Sequence, residues 1–156
     1  MKNYEKTGIL TKNDLKLPSK KQLKKGVAII ECIQKIPCNP CVTACPVNAI
    51  SMKNINAPPD IDYDKCIGCK KCVGICPGLA IFVVKVLDNN KALVTLPYEQ
   101  FPIPNENDIV DGINREGEKI DNIKVKKIVK KGKTMVITVE TKEEHAMDIR
   151  NIRVKK

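Results

Sequence analysis

The sequence predicts an α+β fold: a pseudo-twofold repeat of cysteine loops and short helices, followed by a small antiparallel β-barrel or curled β-sheet. Two observations carry the prediction. "CNPCVTACPVNAI" at 38–50 matches "CKKCVGICPGLAI" at 69–81 position by position, as an internal repeat. After Ile81 the cysteines stop, and short β-branched runs alternate with polar turns. A third observation sets the energetics. With no Trp, two Phe and three Tyr in 156 residues, the chain has little bulk to bury and needs a staple. Eight cysteines between positions 32 and 76 are that staple.

Element by element, three segments follow: a basic N-terminal extension (1–26), a cysteine-bearing domain with a trailing hairpin (27–99), and a small β-rich domain for docking (100–156). Pro18-Ser19 starts a helical turn through "KKQLKKG" and Gly26 stops it. "VAIIEC" (27–32) reads as a strand running into the first cysteine. Each half of the repeat is expected to give a cysteine loop, a short helix opening near its Cys-Pro, and then a strand. Pro58-Pro59 marks the turn-rich link between the halves. "IFVVKVLDNNKALVTLPY" reads as a hairpin, with strands 81–87 and 92–96 about a turn at Asp88–Lys91. A Pro-marked linker, 100–108, leads to the strands "DIVDGI", "KIDNIKVKKIV" and "TMVITVET", and residues 143–156 add a last one.

The staple depends on compartment. "MKNYEKTGILTKNDLKLPSKK" holds no apolar core of signal-peptide length, and no stretch approaches the roughly 20 apolar residues of a membrane span. A cytoplasmic chain is expected, where cysteines at short regular spacings favour metal over disulfide. Net charge is +10, which raises the question of nucleic acid. Only Arg115, Arg150 and Arg153 among the 28 basic residues are arginine, and aromatic platforms for bases are missing. No nucleic-acid partner is expected.

Cys66, Cys69, Cys72 and Cys76-Pro77 follow the C-x2-C-x2-C-x3-C-P spacing that ligates a [4Fe–4S] cluster. Three thiolates on one tight loop reach three corners of a cubane, and the fourth points to the other cluster. Gly68 and Gly74 leave room for backbone N–H groups near the sulfurs, and Pro77 suits a helix start. Zinc, the rival metal, needs two cysteine pairs and has no use for the third cysteine of this run. The first set, Cys38, Cys41 and Cys45-Pro46, lacks its leading cysteine: the equivalent position is Lys35. Cys32, three residues upstream, is the candidate fourth ligand across a wider loop. The alternative is a structural thiol there, beside a three-iron or labile cluster.

This arrangement resembles the two-cluster bacterial-type ferredoxins over residues 27–84. The resemblance implies a ferredoxin-like two-cluster fold with crossed ligation: Cys66, Cys69, Cys72 and Cys45 on one [4Fe–4S] cluster, and Cys38, Cys41, Cys76 and Cys32 on the other. Two such cubanes with eight thiolates add roughly −4 of charge. "IECIQKIPCNPCVTACPVNAI" and "IDYDKCIGCKKCVGICPGLAIFVV" with a β-rich tail further resemble the small ferredoxin-like subunits of FAD-dependent amino-acid or amine dehydrogenase complexes. Proline dehydrogenase, sarcosine oxidase alpha and hydrogen cyanide synthase assemblies are the comparison. That implies a non-catalytic electron-transfer subunit in a hetero-oligomer. Its partners would be an FAD-containing dehydrogenase subunit and an NAD(P)-handling flavoprotein.

Overall fold

The computed structural model describes residues 1–155. A short helix Asn3–Thr7 (α1) and a 3-10 turn at Lys12–Asp14 come first. Helix Lys20–Lys25 (α2) is the expected helical turn. Its Ser19 hydroxyl accepts from the Gln22 N–H, the Gln22 side chain accepts from the Ser19 N–H, and Gly26 closes the helix. Strand Val27–Ile30 (β1) follows at once, two residues shorter than the sequence suggests.

Each half of the repeat then builds one five-residue helix, Pro40–Ala44 (α3) and, further on, Lys71–Ile75 (α4). Between them Ile50–Ser51 (β2) pairs with Asp60–Ile61 (β3). The sequence places each helix after Cys-Pro, but the structure places it before: α3 ends against Cys45 and α4 against Cys76. Each Cys-Pro opens a tight turn instead. The Asn48 N–H donates to the Cys45 carbonyl and the Leu79 N–H to the Cys76 carbonyl. Asn48 and Leu79 both sit at left-handed φ, +49° and +52°, which ends any right-handed helix. The two halves therefore repeat in backbone as well as in sequence.

Strands Ile81–Val86 (β4) and Lys91–Tyr98 (β5) form the expected hairpin. Ile109–Ile113 (β6), Lys119–Lys131 (β7), Thr134–Lys142 (β8) and Asn151–Arg153 (β9) complete the chain. The tail strands do not close into a barrel or a curled sheet of their own, which corrects the sequence expectation. All but β2 and β3 join one open, antiparallel, seven-stranded sheet in the order β1-β4-β5-β8-β7-β6-β9. The reason is the β5–β8 ladder, which runs from Lys91↔Lys142 to Tyr98↔Met135 and grafts the tail onto the hairpin. β7 is long enough to pair with β6 by its first half and β8 by its second, with an irregularity between Val125 and Lys127.

Register decides which residues face the cysteine loops. Val83, Thr95, Thr138 and Lys127 lie in one row across four strands. The Thr95 and Thr138 hydroxyls share a 2.8 Å hydrogen bond in that row. The side chains of Val136 and Lys131, on the same face, lie against Gly74 of α4. The neighbouring row of Val84, Val94, Val139 and Val125 points the other way and is fully buried. Each such side chain contributes on the order of 1.5–3 kcal/mol by leaving water. Among the described residues no helix is long and apolar enough to cross a membrane.

Candidate metal centre

None of the eight cysteines is in a disulfide, and the fold sorts them into two neighbourhoods. Cys66 and Cys69 lie on the loop before α4 and Cys72 lies within it. Cys45 reaches the same place from the end of α3. These four line one small cavity with Ala28 of β1, Val83 of β4 and Ala49. The sheet face therefore supplies the floor of the cavity, and the two halves of the repeat supply its walls.

Backbone donors point at the sulfurs. The Ala28 N–H donates to Cys66 Sγ at 3.4 Å, and the Ala49 N–H donates to Cys45 Sγ at 3.2 Å. Burial works against a thiolate at Cys45, but hydrogen bonds from the backbone of Val47, Ala49, Ile50 and Asn48 outweigh it and lower its pKa. Cys72 behaves oppositely. Burial, and then the charges of Cys66, Cys69 and Cys45, push its thiol up to about 12.

The second neighbourhood holds Cys32, Cys38, Cys41 and Cys76. Burial raises the Cys41 thiol first, and the nearby Cys76, Cys32 and Cys38 raise it further. Cys32 is likewise raised by burial, then by Cys76 and Cys38, against a bond from the Gln34 backbone. Lys35, which occupies the missing position of the first set, is exposed.

Thiols whose ionisation is opposed by burial and by neighbouring cysteines, as at Cys32, Cys41 and Cys72, need a cationic core to become thiolates. The donor set is eight sulfurs in two fours, with apolar lining and backbone N–H groups aimed at sulfur. It fits iron–sulfur cubanes, whose potential such hydrogen bonds help set. Among the described residues, no three His, Cys, Asp or Glu side chains converge closely enough to hold a single metal ion.

Packing also requires two of the glycines. Gly68 adopts φ +63°, and a Cβ there would lie 2.7 Å from the Gly26 carbonyl oxygen. The loop thus packs directly on the end of α2. Gly74 makes room for the Lys131 stem, not for a sulfur contact.

Sequence reasoning missed one buried feature. Glu31, one residue before Cys32, accepts from Arg115 Nη2 at 2.6 Å and Nε at 3.0 Å, and from Arg150 Nε at 2.6 Å. Arg150 also lies over the Phe82 ring, 4.8 Å from its centre. The available signal was scarcity. Where 25 of 28 basic residues are lysine, an arginine marks a place that needs its rigid fork.

Comparison with known proteins agrees with this geometry. Residues 31–80 match the 4Fe-4S dicluster domain. UacF of Escherichia coli is 52% identical over 42 residues, which is 26% of this chain and 6% of that protein. The aliphatic sulfonate oxidoreductase polyferredoxin-like subunit of Pyrococcus furiosus is 37% identical over 57 residues, 36% of this chain and 33% of its own. In Allochromatium vinosum, one sulfite dehydrogenase subunit is 50% identical over 38 residues, 24% of this chain and 16% of its own. The matches thus span a third or less of each relative. No solved structure gives a significant match. The chain carries an iron–sulfur dicluster domain related to segments of oxidoreductase iron–sulfur subunits. None of these three relatives is named as an amino-acid or amine dehydrogenase.

Proposed function

We propose that this chain is an electron-transfer subunit of a larger oxidoreductase, carrying two [4Fe–4S] clusters. Cys45, Cys66, Cys69 and Cys72 hold one cluster, and Cys32, Cys38, Cys41 and Cys76 hold the other. The observation that carries the reading is the crossing of the repeat. Each neighbourhood takes three thiols from one half and one from the other. Bound there, the clusters accept and donate single electrons.

The protein's own part is positional. β1 and β4 fix the floor of one site, α3 and α4 each deliver a buried cysteine, and backbone N–H groups stabilise thiolate charge. The tail is built into the same sheet as the cysteine unit, so a partner docked on it is held at a fixed distance from the clusters. A relay of this kind needs an electron source and an acceptor. The resemblance to small subunits of FAD-dependent amino-acid and amine dehydrogenases supports flavin centres on partner chains. An FAD dehydrogenase subunit and an NAD(P)-handling flavoprotein fill those roles.

The test is anaerobic purification of the tagged chain from its own cells, with flavin and iron quantified in the eluate. A flavoprotein at one-to-one stoichiometry is the expected result. A lone, fully loaded iron–sulfur protein that no flavoprotein accompanies would make it a diffusible carrier instead.

A further inference from the structure

The sheet face beside the Cys45/Cys66/Cys69/Cys72 site carries a concentration of lysines that the metal centre does not use. Lys70 lies between Cys69 and Cys72, lines the site's cavity, and is held at left-handed φ, +69°. Its ammonium donates to Thr138 Oγ1 at 3.2 Å, which lays its side chain across the sheet. In register with Thr138 stands Lys127, and two residues beyond Val83 on the same face stands Lys85. Lys131 continues the strip against Gly74. One acid on this face, Glu140, is already engaged by Lys91 at 3.0 Å and Lys126 at 3.8 Å, and another, Glu99, accepts from the Thr134 hydroxyl.

Among the described residues, none of Lys70, Lys85, Lys127 and Lys131 has a carboxylate within salt-bridge distance. Lys85, Lys127 and Lys131 are exposed, as are Cys69 and Ile67 on the loop beside them. An apolar spot with the redox site just beneath it, bordered by cations, is the complement of a surface on which carboxylates border a redox centre. We propose that this face is the docking surface for an acidic one-electron carrier protein, which exchanges electrons with the cluster held by Cys45, Cys66, Cys69 and Cys72. The assignment rests on the two-cluster reading for its redox role, but the docking has a readout of its own.

The probe is a purified flavodoxin, an acidic flavin protein that carries one electron. Titration calorimetry measures binding and needs no cluster; stopped-flow absorbance measures electron transfer with the reduced holoprotein. Lys85→Glu with Lys127→Glu reverses charge at two exposed positions on the face. Lys2→Glu with Lys6→Glu makes the same net change at α1 and the residue before it, and iron content is checked in both. The expected result is an affinity and a transfer rate that fall about tenfold between about 0.02 and about 0.3 M salt. The face variant should lose about tenfold at low salt while the α1 variant keeps the parent values. Equal binding by the two variants overturns the docking surface. So does retention of duplex DNA at about 0.15 M salt with no binding of flavodoxin, which would make the face a nucleic-acid surface. Binding as expected with no iron in the protein would leave the surface standing and overturn the two-cluster reading.

Discussion

Glu31 and Arg150 meet at 2.6 Å although 119 positions separate them in the chain. Alternation along the first strand explains why the contact matters. Ile29 pairs with Phe82, and Glu31 continues on that side, where Arg150 lies over Phe82. Cys32, the next residue, turns toward the cysteines. The ion pair therefore anchors the backbone that presents the least regular of the eight thiols, and it does so from the far end of the tail.

Removing the cation leaves Glu31 buried beside Arg115 alone. Arg150→Met is expected to cost about 3–5 kcal/mol, the range for breaking a buried ion pair by deleting one partner. Arg150→Lys should recover part of that and no more, because a point charge cannot reproduce the fork over Phe82. Denaturant unfolding of the anaerobic protein measures both. A loss under 1 kcal/mol for the methionine variant would mean the triad is dispensable.

Cys32→Ser tests the stretched ligand set. Iron per chain should fall by about an eighth to a half, about one to four of about eight irons, through conversion or loss of one cluster. The cluster held by Cys45, Cys66, Cys69 and Cys72 should keep its spectrum. Lys35→Ala, in the vacated position, should change neither iron nor redox titration. Unchanged iron in the serine variant would take Cys32 off the list.

Gly68→Ala places a methyl group 2.7 Å from a backbone carbonyl, at a φ that side chains rarely adopt. The loop must shift away from Gly26, and a cost of about 1–3 kcal/mol follows from such backbone strain. The consequence specific to this site is a shorter half-life of one cluster in air, read from the decay of its visible absorbance. Gly78→Ala, with open space around its Cβ, is the matched control.

Acid should loosen the tail. Asp121 is held below its ordinary pKa first by its bond to Lys142, and Glu140 first by its bond to Lys91. A carboxylate depressed in the folded state stabilises above its unfolded pKa of about 4, and that contribution is lost as pH falls below it. Thermal melts should therefore be flat from neutral pH to about 5 and drop below about 4, with a shallower drop in Asp121→Asn.

The local parts of the fold were legible because their causes are local. Ser19, Gln22 and Gly26 carry the full signature of a capped helix, and Asn89-Asn90 between β-branched runs carries that of a hairpin. The cysteine spacing pointed to an iron–sulfur dicluster domain, which residues 31–80 match, since ligand geometry leaves few spacings open. The features that escaped depend on pairing at a distance. Nothing in "TMVITVET" says that its partner is the strand 91–98, across a Pro-marked linker, rather than a neighbour in the tail. That choice alone separates an open seven-stranded sheet from a barrel. The helices around Cys-Pro failed for another reason. Proline is equally at home opening a helix and following one, and the left-handed Asn48 and Leu79 that decide the matter are not glycines.

The most direct test of the two-cluster relay is electron paramagnetic resonance of the anaerobically reconstituted, dithionite-reduced protein, with iron and sulfide counted in the same sample. Two [4Fe–4S] clusters predict about eight irons and about eight sulfides per chain, and a spectrum broadened by coupling between two reduced centres. An uncoupled signal with about four irons, or zinc in place of iron, would contradict it.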